Sequence, residues 1–465
     1  MNAPILWILL PLVLAGLLLL IGNQKLVYFL ACFFTLFLAV AALLLPIDSA
    51  LNVGGLTFKL APSIQILGRN LTLTSADRSF LVFIYGSLFV WFIPSVSQNV
   101  TRLFIPLGLA ITSLLVAALA VEPFLYAALI IEMAVLLSIP LLSTPGQKPA
   151  KGVIRFLIFQ TLAMPFILFS GWLLAGIGAN PGNLDQVNQA ATFLGLGFAF
   201  LLAIFPFYTW IPLLAEEVHP FLVSFILWIL PTVALFYALG FLDHYSWLRD
   251  APNLRNILIT TGALMVITGG ILSAFQSHLG RMMGYATIVE TGFSLLAISL
   301  GGRTGLVLFL MLLVPRALGL CLWALTLSII KSNSPGLNLK DIKGLAHIWP
   351  LTSFGMVLAI LSLAGMPLLA GFPSHQAILE GLATSSLPLV FWLLVGSLGL
   401  FISAVRVLAA LTSATEGTLW GLRETVYQRI LLAVGMVGLF FLGLFPQWGL
   451  LLWTKLPAIF EHLGQ

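Results

Sequence analysis

Stretches of about twenty consecutive apolar residues follow one another along this chain, joined by connections too short to hold a folded domain. A hydrocarbon layer about 30 Å thick needs about twenty such residues per helix. Reading the runs against loop signals predicts helices near 3–22, 26–46, 79–98, 103–121, 124–143, 152–178, 190–214, 220–243, 256–276, 283–301, 304–331, 347–369, 386–413 and 430–453, or about fourteen spans. Only 8% of the 465 residues are charged, where a soluble domain carries about 25%. A soluble enzyme is therefore excluded. A barrel is excluded as well, because its alternating strand period is absent; without water, only helices satisfy the backbone here. The expected class is an all-α integral membrane protein.

The net charge of +5 does not point to nucleic acid, since the basic residues are scattered through loops without interleaved aromatics. They are concentrated after odd-numbered helices, as Lys25, Arg102, Lys148, Lys151, Arg281, Lys340 and Arg423 show. By the positive-inside rule both termini then face away from the cytoplasm. Cys32 and Cys321 lie in separate apolar spans with no second ligand at metal spacing, so neither a metal site nor a disulfide follows. Residues 3–22 lack a basic leader and a clean cleavage signature, and are read as a retained helix. The long connection 47–78, with Gly54-Gly55 between alternating apolar residues, suits a short hairpin on one membrane face.

Two spans are punctuated within. Phe205-Pro206-Phe207 interrupts the seventh, and Gly365-Met366-Pro367 with Gly371-Phe372-Pro373 interrupts the twelfth. Proline frees a backbone carbonyl, which a membrane tolerates where protein or water satisfies it. Five helices separate the breaks at Pro206 and Pro367/Pro373, and an odd offset reverses direction. Helices 4–8 and 9–13 are therefore expected to form two inverted five-helix repeats, each with its fourth helix broken. Two ordinary proline kinks are the bland alternative. The expected divisions are 1–102 for helices 1–3 with the surface hairpin, 103–243 and 256–413 for the repeats, and 414–465 for the last helix.

An ionisable residue near the bilayer centre costs at least about 2.5–3.5 kcal/mol, which makes each one a functional candidate. The candidates are Glu132, Glu290, Arg316, His375 and Arg406. Against function, each glutamate is weighed as a neutral packing residue, each arginine as one that snorkels to an interface, and His375 as a helix cap. Glu216, Glu217 and His219 read as a solvated loop. No phosphate loop, metal cluster or nucleophile set is visible, so no catalytic or cofactor-binding residue is assigned.

These segments resemble the antiporter-like membrane subunits of complex I (NADH:quinone oxidoreductase), of the N, M and L type, a superfamily shared with multi-subunit sodium/proton antiporters and membrane-bound hydrogenases. The resemblance covers roughly residues 120–410. Phe205-Pro206-Phe207-Tyr208-Thr209-Trp210-Ile211-Pro212 resembles the family's Pro-Phe-His-x-Trp-x-Pro break. Gln276 to Gly292, with Leu279, Arg281, Tyr285 and Ile288, resembles its Gln-x-x-Leu-Lys-Arg-x-x-Ala-Tyr-Ser-Ser-Ile segment. Gly365-Met366-Pro367 through Gly371-Phe372 resembles its Gly-x-Pro-x-x-x-Gly-Phe motif, and Glu132 takes the place of the fifth-helix glutamate.

The departures are as informative. Leu201 and Thr232 stand where the family has lysines, and His375 stands where one subunit type has its twelfth-helix lysine. The resemblance implies proton translocation by acid–base pairs. Arg155 is left to pair with Glu132, but an arginine does not release its proton in a cycle. The second repeat keeps Glu290, Arg316, His375 and Arg406, and histidine, with an unperturbed pKa of about 6.5 against about 10.4 for lysine, exchanges protons near neutrality. The implied function is a membrane subunit of a respiratory or photosynthetic complex I-like oxidoreductase that moves protons or Na+ through its second repeat. Non-pumping spacer and stand-alone cation/proton antiporter are the alternatives. The implied partners are other membrane subunits and the lipid of a prokaryotic plasma membrane or thylakoid, with no cofactor in this chain.

Overall fold

The computed structural model describes residues 2–463 apart from 49, 54–55, 67, 99, 144–149, 180–183, 414–420 and 449–454. A π-helical turn over Ile5–Leu9 runs into α1 (Leu10–Leu20), and α2 (Gln24–Leu44) follows, its first amides capped by the Asn23 side chain. Two antiparallel hairpins then form: β1 (Ala50–Val53) with β2 (Leu56–Lys59), and β3 (Ser63–Ile66) with β4 (Arg69–Thr72). The sequence of this connection suggests one hairpin. It contains two alternating runs, and the second turns at Gly68, whose φ of +75° suits glycine; Gly54-Gly55 lie outside the described residues.

The helices that follow are α3 (Arg78–Ser95), α4 (Phe104–Ala120), α5 (Ala127–Leu142), α6 (Lys151–Ala179), α7 (Leu184–Leu201), α8 (Trp210–Glu217), α9 (Pro220–His244), α10 (Ser246–Arg249), α11 (Leu254–Phe275), α12 (Leu279–Ser299), α13 (Gly302–Asn333), α14 (Pro350–Leu363), α15 (Phe372–Ala383), α16 (Leu387–Thr412) and α17 (Val426–Leu444). A short strand β5 (Val121–Glu122) joins the edge of β4. Among the described residues ten helices are long and apolar enough to cross a membrane, and three shorter apolar ones, Ile5–Leu20, Phe104–Ala120 and Pro350–Leu363, accompany them.

Two helices stop and restart. After Leu201 the chain leaves helical geometry, with Ala203 at φ +51°, and resumes at Trp210. After Leu363 it passes Gly365 at φ +74° and Leu368 at φ +73°, then resumes at Phe372. Helix α15 carries the interrupted twelfth span past residue 369, its expected end, although Ser374, His375, Gln376 and Glu380 end the apolar run there. It forms because Pro373 suits a helix start and the face bearing Ser374, His375, Ile378 and Leu382 is buried. The last helix also begins earlier than the apolar run, at a reciprocal capping box between Thr425 and Gln428.

The core lies along α9 and α12, which are buried on almost every side. Helices α2, α6, α16 and α17 expose large apolar residues such as Phe29, Ile158, Phe391 and Val434, faces that suit lipid or a partner and not water. Helices α11 and α16 cross so closely that a Cβ at Gly270 would overlap the carbonyl of Gly396. The Ser273 and Ser403 hydroxyls bond across the same contact at 2.9 Å, as small-residue crossings in membranes allow.

Candidate functional site

Glu290 stands in α12 with no lipid-facing side, and its side chain is 2% exposed. A carboxylate there needs company, since an uncompensated buried charge costs several kcal/mol. It meets His375 of α15, 4% exposed, whose Nε2 is 3.3 Å from Glu290 Oε1. That is ion-pairing distance without the alignment of a hydrogen bond, and the imidazole Nδ1 has no hydrogen-bond partner. The Phe293 ring covers the imidazole, with centroids 4.1 Å apart.

The break between α14 and α15 makes this meeting possible. His375 lies in the first turn of α15, and its amide donates to Gly371 O at 3.1 Å. A Cβ on Gly365 would come 2.8 Å from His375 Nδ1, and one on Gly371 would strike the Ser362 carbonyl. Gly365 thus makes room for the imidazole, and Gly371 for the Ser362 carbonyl of α14.

Arg316, near the middle of α13, does not snorkel: it is 1% exposed and lies within Coulombic reach of Glu290. Its NH2 donates to Thr291 Oγ1 at 3.2 Å and to Leu227 O at 3.4 Å. The second acceptor is available because Pro231, four residues on in α9, has no N–H to offer it. Glu290 is therefore flanked by a cation that keeps its proton and by an imidazole that can gain and lose one. Such a triad can hold a proton on His375 or pass it between imidazole and carboxylate.

The remaining candidates lie elsewhere. Glu132 is half-buried on α5, beside the exposed Leu129 and Met133, and its Oε1 accepts from Thr161 Oγ1 at 2.8 Å. Arg155 is exposed on α6, six residues before Thr161 and so about 9 Å along the helix. Among the described contacts none joins Arg155 to Glu132. Arg406 turns to the C-terminus of α11, donating to Ala274 O and, at 2.8 Å, to Gln276 O. It acts there as a helix cap, with its charge on the favourable end of the dipole.

Glu216, Glu217 and His219, expected as a solvated loop, belong instead to a clamp at the helix ends. Glu216 pairs with Arg281 of α12 at 2.5 Å, Glu217 accepts from the Gly152 amide at 2.6 Å, and His219 caps α9 by accepting from Phe221 N. Burial, with the nearby Lys331 charge, pushes His219 down to about 4. Burial also lowers His278, which precedes α12. Sequence reasoning passed over Gln160 and Thr291, which carry no charge. Gln160, the one amide in the apolar run of α6, donates to Leu201 O at 3.2 Å.

Residues 129–403 match the family described as NADH:quinone oxidoreductase/Mrp antiporter, TM, which takes in more than half of the chain. Subunit N 1 of the NADH-quinone oxidoreductase of Herpetosiphon aurantiacus is 24% identical over 335 residues, 66% of this chain and 66% of that protein. The matches span from about half to about two thirds of the length of such curated relatives. The fold is similar to a chain of the membrane-bound sulfane sulfur reductase, an archaeal respiratory membrane complex, with a TM-score of 0.83, 18% identity, and 99% and 98% of the two chains covered. It is also similar to a chain of respiratory complex I from Thermus thermophilus, with a TM-score of 0.75, 19% identity, and 99% and 100% covered. By the extent of the family match, this chain belongs to the NADH:quinone oxidoreductase/Mrp antiporter transmembrane family.

Proposed function

We propose that the chain is a proton-translocating membrane subunit of a complex I-like assembly that reduces a quinone, and that its proton-active half is residues 256–413. The observation that carries this reading is the buried pair of Glu290 and His375 at 3.3 Å, placed at a helix break and backed by Arg316. In this reading the chain crosses an energy-transducing membrane about fourteen times. Residues 103–243 and 256–413 are inverted repeats, flanked by 1–102 and 414–465, and both termini are on the non-cytoplasmic side. The interruptions at Leu201–Trp210 and Leu363–Phe372 support that division, because each falls in the fourth helix of its repeat. Names of relatives such as NADH-quinone oxidoreductase subunit N support neighbouring membrane subunits as the partners.

The test is proton movement by the assembled complex in liposomes during turnover. His375→Leu is expected to abolish coupled translocation while electron transfer continues, and His375→Lys to preserve part of it. Translocation by His375→Leu equal to the parent at every pH would overturn the reading. A second reading, a non-pumping spacer, is favoured by Leu201, buried at 5% exposure where the family has a base, and by Thr232, whose hydroxyl is spent on Trp228 O at 2.6 Å.

A further inference from the structure

A cavity of about 10 Å³ lies where α6, the end of α7, α8 and α9 meet α12 and α13, and thus between the two halves. Leu201, Ile226 and Leu230 give it apolar walls. Buried polar side chains line it from both halves: Gln160 of α6 at 3% exposure on one side and Arg316 of α13 at 1% on the other, with Thr287 and Thr291 of α12, whose hydroxyls are spent on Gly284 O and Thr287 O. Gln160 spends its Nε2 on Leu201 O, and its Oε1 has no partner. Arg316 spends NH2 on Thr291 and Leu227, and its Nε and NH1 have none. Buried polar groups are rarely left unsatisfied, least of all on a guanidinium. Trp210 Nε1 of α8 is a third donor without a partner, and one acceptor with three donors around one cavity matches a ligand that accepts and donates; the volume, near the lower limit of ~10–15 Å³ for one water, restricts that ligand to a single water.

We infer that one water bridges Arg316 to Gln160, and that this arginine–water unit is a barrier that keeps protons held at Glu290 and His375 from crossing into the other half. The inference rests on the proposed function only in taking the second half as the one that handles protons. A proton moves along water by hopping to an oxygen with a free lone pair. Here the lone pairs face N–H donors, one from the Arg316 guanidinium and one from the Trp210 indole, and a hydrogen faces the Gln160 amide oxygen, so the water cannot accept a proton from the Glu290 side. The guanidinium keeps its charge throughout and repels an arriving proton, as fixed positive charges in pores do. On its far side Leu201 and Thr232, which stand where the family has lysines, cannot hold a proton.

The experiment is passive proton flux into liposomes that carry the assembled complex, under an imposed pH gradient and with no electron donor. Arg316→Gln is expected to raise the flux several-fold over the parent, whereas Arg316→Lys, which keeps the charge, leaves it at the parent level. Gln160→Glu leaves Arg316 in place but puts a proton-accepting carboxylate against the water, and is expected to raise the flux as well. If Arg316→Gln fails to assemble, Gln160→Glu decides alone, and parent-level flux in every variant that assembles overturns the barrier. A structure of the parent complex that resolves waters should show density within hydrogen-bonding distance of both Arg316 and Gln160, and none there overturns the bridge. Because no turnover occurs, a failed pumping test with His375→Leu leaves this result unaffected.

Discussion

Arg316 donates to the carbonyl of Leu227, the acceptor that Pro231 leaves free in α9, so a proline in one half of the protein and a cation in the other complete each other at 3.4 Å. The same guanidinium is the charge nearest in kind to balance Glu290, which makes the two residues energetically dependent. The two are not in direct contact but within Coulombic reach, so removing either charge leaves the other less compensated in the interior.

Thermal unfolding in detergent should show that dependence. Arg316→Met and Glu290→Gln should each lower the melting temperature, and the double variant should lose less than the sum of the two. Strict additivity would show that the Coulombic contact contributes nothing.

Gly365→Ala should harm both stability and coupling. The alanine must adopt φ +74° and place its Cβ 2.8 Å from His375 Nδ1, where left-handed geometry alone costs roughly 1–2 kcal/mol. A lower melting temperature with reduced proton-to-electron ratio is expected, and a parent-like ratio would show that the imidazole needs no such clearance.

Arg406→Met should separate a cap from a proton carrier. Loss of the donors to Ala274 and Gln276 is expected to destabilise the chain by about 1–2 kcal/mol, while translocation by the surviving complex continues at the parent ratio. A changed ratio would return Arg406 to the proton path.

Glu132→Gln tests the first half. Its amide can still accept from Thr161 Oγ1, so assembly should be intact, and coupled proton movement is expected to fall if this half-buried carboxylate serves a neighbouring subunit. Unaltered coupling would make it a packing residue.

His219 predicts a dependence on pH outside the spans. Its folded pKa of about 4 lies below the unfolded value of about 6.5, so the folded state binds fewer protons between those values. Stability is therefore full above about pH 6.5 and declines as pH falls toward about 4. His219→Asn, which keeps an N-cap acceptor, should show a smaller fall in melting temperature across that window than the parent.

The membrane class, the approximate helix positions and the two breaks were legible in the sequence, because each depends on local chemistry: apolar length, scarcity of charge, and proline or glycine where the backbone must turn. Glu290, Arg316 and His375 were legible as candidates for the same reason, since charge in an apolar run stands out wherever it occurs. Their meeting was not legible. Glu290 and His375 are brought within 3.3 Å by how α12 rotates against α15, while Arg406, equally conspicuous in sequence, is turned to the end of α11. Uncharged Gln160 became significant only through its place on a cavity shared with Arg316. Helix formation is decided within about twenty residues, but which side chains confront each other depends on the rotation and crossing of packed helices, and only the tertiary structure sets those.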